Sequence, residues 1–394
     1  MARYSLHTAI CDILGIEYPV ILAGMGPTAG RGGGAAATAP LVAAVSNAGG
    51  LGVLGGAGST PEELREEIRK VRSLTDKPFG VDLLLPSNLV RPVSPSPALP
   101  QRIGEGTTDW RAQIPQEYWD AINGLKAQFG IPEVQREGPA PGGGAWRIED
   151  QVQVVLDERV PVFASGLGNP APYVPPCRDL GIKVIALVGN VKNARRVADA
   201  GADIVVAQGH EAGGHTGRIG TLALVPQVVD AVAPVPVVAA GGIGDGRGLA
   251  AALALGAHGV WCGTAFLATE EANIAPLQKR KIVEASEEDT RVTRLYSGKT
   301  MRNITNPLIE AWDALNVKAL PMGLQGLLIA DLLAGIRAAG KEELLMNAAG
   351  QIAGLIGGLR PAKAVLDEIV DGAAEVLTRD LPARAQVAER AGAT

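Results

Sequence analysis

Short apolar runs rich in β-branched residues recur along the chain, each followed by a glycine or turn and then by an Ala/Leu-rich stretch of helical period. The runs are YPVILAGM (18–25), LGVLGG (51–56), FGVDLLLP (79–86), VPVFASG (160–166), IKVIALVG (182–189), ADIVVAQG (202–209), PVVAAGGI (236–243) and GVWCGTAF (259–266), eight in all. They are continuous rather than alternating, the pattern of strands buried on both faces in a parallel sheet. APLVAAVSNAG, PEELREEIRKVRS, EDQVQVVLDER, APYVPPCRDLG, VKNARRVADAG, LVPQVVDAV and GRGLAAALALG supply the helices between them. Eight strand–helix units predict an α/β fold, a (β/α)₈ TIM barrel over residues 1–280. A doubly wound sheet is the competing arrangement. It would place a G-x-G-x-x-G turn after the first strand, and AGMGPTAG approximates one poorly.

Two regions break the rhythm. Residues 87–147 form an insertion after strand three, with Pro/Gly-rich ends (RPVSPSPALP and REGPAPGGGAW) and a middle, IPQEYWDAINGLKAQFG, that reads as a helix. An insertion there leaves from the C-terminal face of a barrel, so a lid and a packed surface decoration are both open readings. Residues 281–394 form a mostly helical C-terminal extension, expected to pack on the barrel by covering its mouth or to build a homodimer interface. The last residues, ARAQVAERAGAT, read as a frayed end.

Composition narrows the function classes. Of 394 residues, 47% are apolar but only 4% aromatic, so the core is aliphatic. The net charge of −5, with both signs interspersed, argues against a nucleic-acid surface. No apolar stretch reaches the ~18 residues of a membrane span, and Asp12 and Glu17 interrupt the N-terminus where a signal peptide needs an apolar run. Cys11, Cys177 and Cys262 are far apart and odd in number, which predicts reduced thiols and a cytoplasmic protein rather than a disulfide framework.

The chemistry concentrates at the predicted strand ends. Gly241 and Gly242 end strand seven, and Gly263 and Thr264 end strand eight. Backbone N–H groups, helix termini and a hydroxyl at one face form a phosphate site, with ordinary tight turns as the alternative. Sugar-phosphate enzymes and flavin enzymes share such a site. At the end of strand one, Gly24 and Met25 offer backbone and a soft side chain to a planar ring. Asp82 is a carboxylate within a buried strand and needs a partner, either a ligand polyol or backbone N–H groups. Gln208 ends strand six, where an amide can donate and accept toward a ligand. QGHEAGGHTG (208–217) follows, with Gly214 permitting close backbone approach and His215 able to handle a proton near neutral pH. His210 and His215 are five apart and separated by glycines, which disfavours a helical metal pair, so His210 reads as structural and no metal is expected. TRLYSGKTMRN (293–303) offers Tyr296, Lys299 and Arg302, which could close over substrate or phosphate, but a solvated basic surface is the favoured reading.

These stretches carry a family resemblance. PVILAGMG, VSNAGGLGVLGG, VPVFASG, GADIVVAQGHEAGGHTG, VVAAGGIGDGRGLAAALALGAHGVWCGTAFLATEE and AGQIAGLI together resemble the nitronate monooxygenases, formerly 2-nitropropane dioxygenases. The resemblance implies an FMN-dependent barrel that oxidises alkyl nitronates or nitroalkanes with O₂. Gly241, Gly242, Gly263 and Thr264 would hold the FMN phosphate. Gly24, Met25, Asp82, Gln208 and Gly214 would lie along the ring and ribityl chain, and His215 would be catalytic. Family members commonly carry Asn or Gln where Asp82 stands. The alternative on the same barrel is an FMN- and NAD(P)H-dependent enoyl-thioester reductase.

Overall fold

The computed structural model describes residues 3–27, 34–85, 114–134 and 147–385. Both Pro/Gly-rich ends of the insertion and most of the expected frayed terminus lie outside them. In chain order the first elements are α1 (Ala9–Leu14), β1 (Val20–Leu22), α2 (Ala39–Asn47), β2 (Gly52–Gly55), α3 (Pro61–Leu74) and β3 (Phe79–Leu84). The insertion supplies α4 (Gln116–Phe129). Then come α5 (Ile148–Asp157), β4 (Val162–Gly166), α6 (Val174–Asp179), β5 (Lys183–Val188), α7 (Val191–Asp199) and β6 (Ile204–Gln208). A two-residue strand β7 (Gly214–His215) precedes α8 (Thr221–Val232), β8 (Val237–Ala240), α9 (Gly246–Ala254), β9 (Val260–Cys262) and the one-turn α10 (Thr264–Leu267). Beyond it lie α11 (Pro276–Glu284), the hairpin β10 (Thr290–Thr293) and β11 (Met301–Ile304), and helices α12 (Pro307–Ala314), α13 (Leu324–Ala338) and α14 (Ala362–Glu375).

All eight apolar runs are strands, and they pair in parallel in the order β1-β9-β8-β6-β5-β4-β3-β2. The Ile21–Leu51 bridge joins the two ends and closes the ring. The observed strands stop short of the apolar runs because the terminal glycines turn out of the ladder. Ile21, Val53, Val162, Ile185, Ile204, Val238 and Trp261 fill the barrel interior, while Val20, Leu22, Val81 and Val205 face the helices. Helix α1 inserts Ile10, Cys11 and Leu14 into the interior cluster at the N-terminal end, where Ile10 lies against Gly259. That end is plugged, so a ligand enters at the other.

Local signals hold where the sequence placed them. Pro61 starts α3, Thr60 Oγ1 accepts from the Glu63 N–H (3.2 Å), and Glu63 returns the bond to the Thr60 N–H (2.8 Å). This reciprocal cap satisfies donors that the helix itself cannot. Leu64, Ile68 and Val71 then fall on the buried face.

Helix α14, far along the chain, packs against α9, α2 and β1 and so takes the eighth helical position around the barrel. Its contact with α9 is backbone on backbone: a Cβ added to Gly246 would stand 2.2 Å from the Ala373 nitrogen. Neither helix can yield locally. Gly246→Ala is therefore expected to destabilise the chain by about 1–3 kcal/mol through overpacking, read as a lower denaturant midpoint. An unchanged midpoint would contradict this packing.

A second apolar core joins the insertion to the C-terminal region. Ile122 and Leu125 of α4 pack with Trp312 of α12 and with Leu328, Leu332 and Ile336 of α13. Tyr296 and Met301 of the hairpin region belong to the same cluster. Among the described residues, no helix is long and apolar enough to cross a membrane.

Candidate active site

A cleft of about 1110 Å³ opens at the C-terminal ends of the strands. Gly24, Met25, Asp82, Gln208, Gly214, His215, Gly241, Gly242, Gly263 and Thr264 all line it. The ten residues singled out in the sequence therefore converge on one cavity, although they come from six strand ends.

One wall is polar backbone. Gly241 and Gly242 have φ of +92° and +71°, a left-handed backbone that glycine adopts without strain. The N–H groups of Gly241, Gly242 and Gly263 donate to no acceptor among the described residues. Such amides at a barrel mouth are the donor set of an anion site. Thr264 Oγ1 accepts from the Gly350 N–H at 2.9 Å, which leaves its own hydroxyl proton to donate. The N-terminus of α9 departs from expectation. Asp245 caps it, accepting from the Arg247 and Gly248 N–H groups at 2.9 and 3.3 Å, so two amides of this helix end are already taken.

Asp82 sits across the barrel on β3, 7% exposed, with Oδ1 lacking any hydrogen-bond partner among the described residues. Desolvation by burial pushes its carboxyl up from 3.8 to about 8, opposed only by a backbone hydrogen bond from Gly166. The group is thus an acid at neutral pH. Gly24 is part of its pocket: a Cβ there would lie 2.2 Å from Asp82 Cβ. The Met25 sulfur lies close over Gly263, 3.6 Å from where its Cβ would be.

The loop after β6 is held by its own polar groups. The Glu211 carboxylate accepts from the Thr221 N–H (3.0 Å) and hydroxyl (2.9 Å) at the start of α8. His210 Nδ1 lies 2.8 Å from the Gly217 carbonyl, which ties the loop to itself. Gln208 Nε2 donates to the His215 carbonyl at 3.0 Å, so the amide steadies the loop while the side chain lines the cleft.

His215 stands on β7, which pairs with β11 through Met301–His215 and Arg302–Gly214. Thr300 Oγ1 donates to the Thr216 carbonyl (2.9 Å), and the Thr216 N–H to the Thr300 carbonyl (3.2 Å). His215 Nε2 lies 2.9 Å from Ser297 Oγ. Burial, and then the Lys299 charge, lower the imidazole to about 4. The ring is neutral at pH 7, and Nδ1 has no protein partner among the described residues.

The stretch 293–303 is therefore not the solvated basic surface that its composition suggested. Tyr296 and Arg302 are buried, and Tyr296, Ser297, Lys299 and Met301 line the cleft. Sequence reasoning also passed over Met346, Ala348 and Ile352, which line it from the C-terminal region, although AGQIAGLI marked the neighbourhood. Arg196, Arg218, Arg294 and Lys299 stand exposed around the cleft, without an ion-pair partner among the described residues. They give its mouth a positive field. Cys177 and Cys262 are buried, and desolvation raises their thiols to about 11 and about 12, which leaves them unreactive.

A closed parallel barrel, with donors and a half-buried histidine at its C-terminal mouth, defines the (β/α)₈ class of enzyme. Residues 7–372 match the nitronate monooxygenase family model, and the chain belongs to that family. It is an oxidoreductase. A probable nitronate monooxygenase of Staphylococcus haemolyticus is 38% identical over 316 residues, covering 77% of this chain and 80% of its own length. Among solved structures, the nitroalkane oxidase of Streptomyces ansochromogenes matches with a TM-score of 0.75 at 30% identity, over 94% of this chain and 99% of that one. FabK from Thermotoga maritima matches with a TM-score of 0.73 at 33% identity, over 97% of this chain and 100% of that one.

Proposed function

We propose that the chain oxidises alkyl nitronates with FMN as its bound redox group and O₂ as electron acceptor. The observation that carries this reading is a neutral, half-buried histidine in the same cleft as an unpaired amide cradle. The Gly241, Gly242 and Gly263 amides and the Thr264 hydroxyl hold the phosphate. Gly24, Met25, Asp82, Gln208 and Gly214 line the ribityl chain and ring. FMN, when bound, supplies the electron transfer from substrate to O₂.

His215 fits a nitronate better than a neutral nitroalkane. A nitronate has already lost its carbon-bound proton, so no strong base is needed. An imidazole held near 4 is poorly matched to deprotonating a carbon acid at neutral pH. When Nε2 accepts from the Ser297 hydroxyl, Nδ1 carries the ring proton and can donate it to a nitro oxygen, which orients the substrate. The basic rim draws the anion in.

The likeness to FabK favours a second reading, reduction of an enoyl thioester with NAD(P)H as electron donor. Anaerobic mixing separates the two. Loss of the flavin's visible absorbance on adding a nitronate, with little response to NADH or NADPH, supports the first. Rapid bleaching by NAD(P)H alone moves the assignment to the second.

A further inference from the structure

Asp82 poses a question that the catalytic reading leaves open. A carboxyl is costly to bury without a cation or a set of donors. Yet Oδ1 has no partner among the described residues, and no charged group contributes to the environment of this side chain. The elements around it offer only neutral neighbours. Gly55 lies beside it on β2, Ala164 and Gly166 on β4, and Gly24 presses against its Cβ. The residue nevertheless lines the cleft, so the carboxyl group borders ligand space although Oδ1 itself is enclosed. An asparagine would fill the same volume with no titratable proton.

We propose that Asp82 serves the cofactor as a carboxylic acid, its O–H donating to an acceptor on the bound flavin, so that the flavin is held by the protonated side chain and released as that proton is lost. This rests on reading the cleft as an FMN site. Only the Gly166 backbone N–H favours the ionised form at this side chain, and desolvation outweighs it. FMN brings its own phosphate charge into the same cavity, which disfavours a second anion there. By linkage, a ligand that prefers the protonated form takes up a proton where the free side chain has begun to ionise. Its affinity then falls by up to about tenfold per pH unit above the titration.

The test is FMN binding to flavin-stripped protein between about pH 6 and 10, on either side of the Asp82 titration, compared with Asp82→Asn. The wild-type affinity is expected to fall steeply above about pH 8, while the Asp82→Asn chain follows only the slope of FMN's own ionisations. A second measurement needs no variant. The calorimetric enthalpy of FMN binding near pH 9 should depend on the buffer's ionisation heat, because binding takes up a proton. Parallel pH profiles for the two chains, or binding without proton uptake, would overturn the proposal. Failure of both chains to bind FMN even at the acid end would instead remove the FMN reading.

Discussion

His215→Ala is expected to lower nitronate turnover by about 10²–10⁴-fold, the range for removing a positioned acid–base or hydrogen-bonding group, while FMN stays bound. The loss should fall mainly on kcat, because the contact that is removed orients the bound nitronate for reaction. The fold should survive, since β7 is held by backbone pairing to β11 and by the Thr216–Thr300 bonds rather than by the imidazole. The low value of the imidazole adds a pH signature: between pH 5 and 8 the wild-type profile should carry no inflection from His215. A His215→Ala chain that loses FMN, or keeps full turnover, would place this residue among the structural ones. The same depression makes His215 a small stability term. Between about 4 and 6.5 the unfolded chain binds more protons than the native one, so this contribution is lost as pH falls through that window.

Asp82→Asn should stabilise the flavin-free chain, and increasingly so toward alkaline pH. Its carboxyl titrates at about 8 when folded and near 3.8 when unfolded. Between those values the native state binds more protons than the unfolded state, so stability falls as pH rises, by up to about 1.4 kcal/mol per unit. Above both values the penalty is complete, on the order of a few kcal/mol. The Asn variant has no such term. Denaturation midpoints should therefore coincide near pH 4, separate through neutrality, and differ most above pH 8. A gap that does not change with pH would mean that Asp82 is ionised or compensated in the native chain. Asp82 thus trades stability for a titratable proton that an amide does not carry.

Much of the site was legible because barrel geometry converts strand ends into neighbours. Gly24, Asp82, Gln208, Gly241 and Gly263 are far apart in sequence, yet each ends or sits high on a strand, and parallel closure brings them to one rim. The Ser297–Lys299 turn escapes such reasoning. TRLYSGKTMRN has the composition of a surface, and nothing local reveals that β11 pairs with β7. Only that pairing makes Ser297 the partner of His215. The capped N-terminus of α9 was legible but passed over, since an aspartate ahead of GRGL is a recognisable signal.

By itself the sequence determined the number, order and parallel pairing of the barrel strands. Continuous apolar runs alternating with helical stretches have few other ways to bury both faces. It also determined which strand ends carry chemistry, since glycine and buried polar residues are conspicuous in such runs. Tertiary structure alone decided that α14 would take the eighth helical position, that α4 would share a core with α12 and α13, and that Asp82 Oδ1 would lack a partner among the described residues. Those outcomes depend on contacts between segments far apart in the chain and on the loss of water around a carboxyl. Both follow from packing in three dimensions, which local pattern does not encode.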